Sequence, residues 1–371
     1  MLHCFSNERI AKLLIKLLIA KGYFIVSATE QGAHIIERLI GEWETPFVEM
    51  EIFESADTLF IARLLDTFCQ EHLGTPVAEF LFYESSQGAV TGVRLEDGRR
   101  VVLKVHKPGQ SFTFLRSMQE VQHHLVASGY PCPRPVAGPQ CLARGIAVVE
   151  ELIDEGFYVD GHDPAIRRMM AEALAQLVQL TNGLVELPGL RATMQRHPVI
   201  DDLWEQPHNK LFDFVATARG AEWIDDIARQ AQHTLNEHSH GEIVLGHRDW
   251  AVKHFRFKRG KVRVIYDWDS LACNYEAVLV GDAARGFPMT WHLPTRVSPT
   301  REELHAFVDE YQTARGKVFT RSERTLIAAS VAFGLAHSAR IEHSLNPQKT
   351  DWSEESYHSI LARSGGGYFE V

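Results

Sequence analysis

A block of strand-like sequence between two helical regions restricts the fold more than any other feature of the chain. Three consecutive runs, 80–84, 90–95 and 100–105, are rich in aromatic and β-branched residues and are typical of antiparallel strands. The Asp97-Gly98 step between the last two favours a tight hairpin turn, because glycine readily adopts positive φ. A helical pattern and one further strand, residues 146–152, follow, so the sequence predicts a small antiparallel β unit.

The segments on either side of this block have the period of amphipathic helices. Before it, apolar residues recur at helical spacing in 10–18 and 35–40, and a third helix is predicted from Ser55 to Gly74. After it, helical patterns continue as far as His343 and are interrupted by one β-rich stretch, residues 243–271. The predicted class is therefore α+β, with a helical extension (1–76), a small β-rich lobe (77–153) and a large α-rich lobe (154–371).

Composition restricts the cellular environment and the classes of partner that can be expected for this protein. The chain has 371 residues, 45% of them hydrophobic, which is enough apolar surface for a sizeable core. A net charge of -10 argues against nucleic acid and anionic membrane surfaces as partners. The five cysteines are scattered without a Cys-x-x-Cys pair, and the apolar run at 13–20 is shorter than the ~20 residues of a membrane span. These features predict a cytoplasmic protein that acts away from membranes.

Two acidic sites in the β-rich stretch of the second half carry the sharpest chemical signal. Asp249 follows Gly246-His247-Arg248, and Asp267-Trp268-Asp269 comes after a predicted hairpin. Because a hairpin returns the chain to where it began, the carboxylates of Asp249 and Asp267 are expected to converge on one cleft. Convergent carboxylates suit phosphoryl transfer, in which one orients an attacking hydroxyl and the other holds Mg²⁺ against the phosphates.

Lys104, on the third predicted strand, is the second signal. A lysine in a mostly apolar strand requires a partner, and the helix that follows supplies Glu120. Such a pair would hold the ammonium where it can contact the phosphates of a nucleotide. The alternative is a surface lysine whose stem packs on the strand while its charge reaches solvent.

With these residues in place, the chain resembles the aminoglycoside phosphotransferase and choline kinase group across approximately residues 80–340. The group's catalytic loop, His-Gly-Asp-x-x-x-x-Asn, is matched by residues 247–254 (HRDWAVKH), and its metal-binding Ile-Asp-Trp by residues 265–268 (IYDW) with one insertion. The resemblance implies a protein-kinase-like fold of two lobes, a β-rich N-lobe and an α-helical C-lobe. It also implies that Asp249 is the catalytic base and that Asp267 is a metal ligand.

The resemblance assigns nucleotide contacts to the first lobe as well. Lys104 and Glu120 fall where the group has its lysine and glutamate pair. The hairpin turn with Ser85, Ser86 and Gly88 falls where the group's proteins bind the phosphates of the nucleotide. An ordinary β-turn is the competing interpretation of that hairpin. The backbone of a hinge, here Glu150, Glu151 and Leu152, is expected to bind the adenine of ATP.

One departure from the group's pattern concerns the metal. Position 254 is histidine where the group has asparagine, and imidazole suits later transition metals better than Mg²⁺. Four arrangements stay open: Asp267 as the single ligand, Asp269 as a replacement oxygen donor, His254 with a softer ion such as Mn²⁺, or His254 as a hydrogen-bonding loop residue without a metal contact.

The sequence thus predicts an ATP-dependent phosphotransferase that uses Mg²⁺, or Mn²⁺ with His254, to transfer the γ-phosphate to a hydroxyl of a small molecule. The alternative is a catalytically weak or inactive nucleotide-binding pseudokinase that acts as a regulator or scaffold through its helical extension. A third possible function of the same two lobes is the transfer of a nucleotidyl group to a protein. Residue patterns leave the acceptor open, and likewise whether the chain forms a homo-oligomer.

Overall fold

The chain forms two compact units. The computed structural model describes residues 27–41, 45–194, 203–205, 207, 212–238 and 241–369. The first unit contains the described residues up to Pro108 together with Gln140–Val149. The second unit contains Gly109–Pro139 and the described residues from Glu150 onward.

Within the described residues, three helices open the first unit, and side-chain caps fix the starts of the first and the third. The Ser27 hydroxyl and the Glu30 carboxylate form a reciprocal capping box at the start of the first helix. Asp57 caps the third, which ends at Gly74 with φ of +76°. The predicted helices at 35–40 and 55–73 are confirmed, except that the second begins at Thr58 with Asp57 as its cap and not at Ser55. The prediction for 10–18 lies outside the described residues. The three helices are α1 (Ala28–Ile40), α2 (Phe47–Phe53) and α3 (Thr58–Leu73).

A five-stranded sheet follows, in the spatial order β1-β2-β3-β5-β4. The three predicted antiparallel strands are confirmed, and Gly98 adopts φ of +87° in the turn between the last two. The strand that sequence reasoning missed is β4, which contains Pro135 and Pro139, residues that argue against a strand. It lies at the edge of the sheet, where a missing N–H is tolerated. The strands are β1 (Val77–Ser85), β2 (Gly88–Leu95), β3 (Arg100–His106), β4 (Pro135–Leu142) and β5 (Gly145–Glu151).

The first two helices pack directly on β1. A Cβ at Gly32 would lie 2.7 Å from the Phe80 ring, so glycine permits the close approach of α1 to the strand. The Tyr83 hydroxyl donates a 2.9 Å hydrogen bond to the Glu49 carboxylate in the buried contact with α2. Because an unpaired buried carboxylate would be costly, this bond lets α2 pack with Glu49 facing inward.

The second unit is mainly helical. Its longest helix, α9, packs against α6, α7 and α10, while α5 packs against α8. A Cβ at Gly281 would lie 2.8 Å from that of Ser330, which shows how closely α7 and α9 approach. Within the described residues, no helix has the length and apolar character needed to cross a membrane. The helices are α4 (Phe112–Ala127), α5 (Pro164–Leu180), α6 (Glu222–Glu237), α7 (Glu276–Gly286), α8 (Arg301–Arg315), α9 (Arg321–Leu345) and α10 (Tyr357–Ser364).

Two small antiparallel ribbons in the second unit place the two acidic sites. The predicted β-rich stretch is confirmed: β6 (Ile243–His247) pairs with β9 (Leu271–Tyr275), and β7 (Phe255–Lys258) pairs with β8 (Lys261–Ile265). The loop after β6 and the loop after β8 therefore meet. The Arg248 N–H donates to the Ser270 carbonyl at 2.9 Å, which ties the two loops together.

Candidate active site

Asp249 lies in the loop after β6, with its side chain 38% exposed. Its Oδ2 is 2.8 Å from His254 Nε2 and 2.7 Å from Lys253 Nζ, so two basic side chains converge on one carboxylate oxygen. A short 3₁₀ turn, Val252–His254, brings both of them back toward the aspartate. The predicted catalytic residue is thus accessible to a ligand and held in a fixed orientation.

Asp267 is brought to the same place by the loop after β8. Its backbone adopts φ of +67°, a left-handed conformation that aspartate tolerates better than most residues. The Ser270 hydroxyl donates to its Oδ2 at 2.8 Å, which fixes the carboxylate. The same Oδ2 lies 3.6 Å from His254 Nε2. The expected convergence of the two acidic sites is therefore present in the structure, with His254 between them.

The electrostatics of the loop keep Asp249 ionised. Burial by itself would raise the pKa of this carboxyl, but the hydrogen bond and charge of His254, and then those of Lys253, outweigh it. The net effect holds the pKa of Asp249 well below its usual range. An ionised carboxylate accepts a hydrogen bond from a hydroxyl and can orient it toward a phosphate group.

Buried, closely packed aromatic rings support the loop that carries Asp249. His247 is buried, and its Nε2 donates to the Tyr266 carbonyl at 3.1 Å. Burial lowers the pKa of His247 against the opposing charge of Asp267, which favours the neutral ring. Trp250 and Trp268 are also fully buried, with ring centres 5.8 and 6.0 Å from that of His247. These contacts fix the backbone on both sides of the acidic pair.

The donor set of this loop fits a divalent cation. One atom each from Asp249, His254 and Asp267 lie within 4.8 Å of one another, a spacing compatible with ligands around one ion. Asp269 is half-buried in the neighbouring 3₁₀ turn and is not a member of this group within the described part of the chain. His254 thus lies where a metal ligand would lie, but its Nε2 can bind an ion only by giving up its hydrogen bond to Asp249.

Lys253 is the residue that sequence reasoning missed. Its side chain is only 9% exposed, and its ammonium contacts both Asp249 and the face of Trp291, whose ring centre is 4.6 Å away. The signal in the sequence was its place four positions after Asp249, the predicted catalytic residue. Nothing in the sequence linked it to Trp291, because that contact depends on how the segment after α7 folds.

The predicted phosphate contacts belong to the first unit. Lys104 lies on β3 opposite Val90, half-buried between buried neighbours on the strand. Ser85 ends β1, and Ser86 begins a two-residue turn in which its N–H donates to the Gly88 carbonyl at 3.1 Å. A Cβ at Gly88 would lie 2.7 Å from the Val105 carbonyl, so close strand packing accounts for this glycine. Phosphate binding by this turn stays a prediction.

The remaining predicted contacts belong to the second unit. Glu120 lies on an exposed face of α4, whereas Gln122 of the same helix is buried and donates to the Glu150 carboxylate at 3.1 Å. The Glu151 N–H already donates to the Arg134 carbonyl, at 2.9 Å. The backbone groups of Glu150 and Leu152 stay the predicted adenine contacts in this hinge.

An α+β fold with two acidic loops and a histidine around one point is compatible with phosphoryl transfer. The profile of the phosphotransferase enzyme family matches residues 58–319, well over half of the chain. The chain therefore belongs to the phosphotransferase enzyme family, whose members transfer a phosphate group to a hydroxyl of a small molecule.

Solved structures agree with this assignment at the level of the fold. A Ralstonia eutropha JMP134 protein, provisionally assigned as an aminoglycoside phosphotransferase, is 14% identical with a TM-score of 0.52; the match covers 82% of this chain and 96% of that one. An ethanolamine kinase from Plasmodium vivax is 14% identical with a TM-score of 0.50, covering 89% and 93%. No protein of curated function matches the sequence. The predicted protein-kinase-like fold is thereby confirmed.

Proposed function

We propose that the protein is an ATP-dependent kinase that transfers the γ-phosphate of ATP to a hydroxyl of a small-molecule acceptor. The observation that carries the proposal is the meeting of Asp249, His254 and Asp267 around one point, with the carboxylate of Asp249 held ionised. Phosphoryl transfer requires positioning and charge neutralisation more than covalent chemistry, and this arrangement offers both.

Asp249 acts on the acceptor. Its carboxylate accepts a hydrogen bond from the acceptor hydroxyl and orients the oxygen toward the γ-phosphorus. As the new O–P bond forms, the bond between the γ-phosphorus and the bridging oxygen breaks, and ADP leaves. The hydroxyl proton passes to Asp249 and then to solvent.

Asp267 and His254 are proposed to hold the divalent ion that accompanies ATP. The ion, when bound, neutralises charge on the phosphates. Asp267 offers the oxygen donor that Mg²⁺ prefers, and His254 offers an imidazole nitrogen, which Mn²⁺ accepts more readily than Mg²⁺ does. The proposed ion is therefore Mg²⁺ or Mn²⁺, and His254 favours the second.

The nucleotide contacts are proposed from the resemblance alone. Lys104, with Glu120 as its partner, and the turn of Ser85, Ser86 and Gly88 would contact the phosphates. The backbone of the hinge, Glu150 to Leu152, would bind adenine. Replacing Lys104 by Met would then weaken ATP binding without changing the site around Asp249.

Replacing Asp249 tests the proposal. We expect Asp249→Ala and Asp249→Asn to lower ATP consumption with a hydroxylated acceptor by about 10²-fold or more, since the positioned base is lost. ATP affinity, measured by calorimetry with Mg²⁺ present, should stay within a few-fold of the parent. Turnover close to that of the parent in either variant would show that Asp249 does not have this role.

A second candidate function has one observation in its favour. Lys253 and His254 both contact Oδ2 of Asp249, so these contacts already occupy the oxygen that would accept a proton from an acceptor hydroxyl. A nucleotide-binding protein without transfer, acting as a regulator or scaffold, would have such contacts. This second function would be supported if the parent protein bound ATP in calorimetry but consumed ATP no faster than Asp249→Ala does.

A further inference from the structure

A large aromatic side chain lies exposed beside the catalytic carboxylate. Trp291, in the segment after α7, is 68% exposed. One face of its indole lies over the Lys253 ammonium, at 4.6 Å from the ring centre, and that ammonium contacts Asp249 at 2.7 Å. The indole is therefore within roughly the span of one hexose ring from the carboxylate. Exposed aromatic surface beside a polar reactive group is typical of ligand sites.

The backbone around this tryptophan is fixed to the catalytic loop. The Val252 N–H donates to the Phe287 carbonyl at 2.8 Å, and the Lys253 N–H donates to the Met289 carbonyl at 3.2 Å. Thr290 is buried, and its hydroxyl accepts from the His292 N–H at 3.1 Å. Trp291 is thus presented by an anchored segment, and its exposure does not come from a loose loop.

Further rings and cations continue the same surface. His292 lies 5.6 Å from Trp291, ring centre to ring centre, and stacks on Tyr158 at 3.7 Å. The guanidinium of Arg256 lies 3.5 Å from the centre of the Tyr158 ring. The hydrogen bonds of Arg256 go to the carbonyls of Lys253 and Phe255 and to the Tyr158 hydroxyl; within the described residues no carboxylate pairs with it. The surface is aromatic and carries cationic groups.

We propose that Trp291 and Lys253 form the acceptor subsite, and that the acceptor is a ring-bearing alcohol without positive charge next to its reacting hydroxyl. The inference rests on the proposed function, because it takes Asp249 as the group that receives the hydroxyl. A sugar-like or aryl ring stacks on the exposed indole while its hydroxyl reaches Asp249. An ammonium on the exposed face of the indole would lie near the Lys253 ammonium on the opposite face, and the repulsion between the two charges disfavours it.

Matched pairs of probe acceptors test the charge preference. D-glucose is compared with D-glucosamine, phenyl β-D-glucopyranoside supplies a larger ring, and ethanolamine supplies a cation without a ring. ATP consumption and the phosphorylated product are followed for each. We expect the neutral ring alcohols to have about tenfold higher kcat/KM than their amine counterparts, and Lys253→Met to reduce that difference. A preference for glucosamine or ethanolamine in the parent protein would overturn the proposal.

Replacing Trp291 tests the stacking. Trp291→Ala should raise the acceptor KM about tenfold, whereas Trp291→Phe, which keeps a ring, should recover most of the affinity. The matched control is Leu345→Ala, which removes an exposed apolar side chain at the end of α9. A Trp291→Ala acceptor KM within twofold of the control would overturn the proposal. ATP affinity in each variant is measured separately, so that a loss of nucleotide binding is recognised.

Direct binding supplies a readout that does not depend on turnover. Saturation-transfer NMR with the same probes at millimolar concentration, on Asp249→Ala protein loaded with ATP and Mg²⁺, detects rings that contact the surface. Contacts to the neutral rings that weaken in Asp249→Ala/Trp291→Ala protein support the proposal, and absent or unchanged contacts overturn it. A protein that does not bind ATP would instead refute the proposed function itself, so the two failures are distinguishable.

Discussion

At the scale of single residues, the unusual feature of the site is that His254 lies between two carboxylates. Its Nε2 is 2.8 Å from Asp249 and 3.6 Å from Asp267. Asparagine, the group's usual residue here, would offer an oxygen to the metal and carry no charge. Histidine offers a nitrogen and, when protonated, a charge. In the proposed site, the residue at this position would affect both which ion is preferred and how firmly Asp249 is held.

Substitution of His254 by Asn should change the metal preference. We expect His254→Asn to bind Mn²⁺ about tenfold more weakly than the parent and to gain relative preference for Mg²⁺, because an imidazole ligand is replaced by an amide oxygen. Electron paramagnetic resonance of free Mn²⁺ measures the affinity without reference to activity. Asp269→Asn is the matched control, since Asp269 lies outside the ligand group. A larger loss in the control would identify Asp269 as the ligand.

At the scale of helices and strands, the local pattern of the chain was sufficient where short-range rules decide the structure. The hairpin at Gly98 and the helix end at Gly74 were predictable because each requires positive φ, which glycine supplies. The strand β4 was not predictable, because prolines argue against a strand and only its edge position makes them harmless. The importance of Lys253 was hidden for a related reason: its partner Trp291 is distant in sequence.

The capping box of α9 gives a test at this scale. The Thr320 hydroxyl accepts from the Glu323 N–H, and the Glu323 carboxylate accepts from the Thr320 N–H at 2.8 Å. Thr320→Ala should lower the free energy of unfolding by about 1 kcal/mol, measured by urea denaturation. Thr320→Ser keeps the hydroxyl and is expected to lose much less. Equal losses in both variants would show that the hydroxyl does not cap the helix.

The same cap should make part of the stability depend on pH. Burial raises the pKa of Glu323, but the Thr320 donors and the Lys317 ammonium outweigh it, so the pKa lies below its usual value. Ionised Glu323 therefore stabilises the fold above its unfolded pKa, and this contribution is lost as pH falls through the folded value. We expect the destabilisation by Glu323→Gln to be larger at pH 7 than near pH 3, by urea denaturation. A destabilisation by Glu323→Gln that is the same at both pH values would contradict this prediction.

At the scale of the whole molecule, the sequence predicted the class of fold and the two acidic loops, but it left the chemistry between them open. The fold was predictable because a strand block between helical regions has few arrangements that bury all its apolar faces. The convergence of Asp249 and Asp267 was predictable because a short hairpin separates them. The acceptor was not, because the sequence contains no motif that identifies it.

Nucleotide binding should stabilise the whole chain in a way that depends on metal. A ligand at 100 times its Kd stabilises the folded state by ~2.7 kcal/mol, which for a protein of this size raises Tm by on the order of 5 °C. We expect ATP with Mg²⁺ or Mn²⁺ to give such a shift in differential scanning fluorimetry, and ATP with chelator to give a smaller one. Asp267→Ala should remove the metal-dependent part alone, because the carboxylate it lacks is the proposed ligand. A full metal-dependent shift in that variant would place the ion elsewhere and separate Asp267 from the reaction.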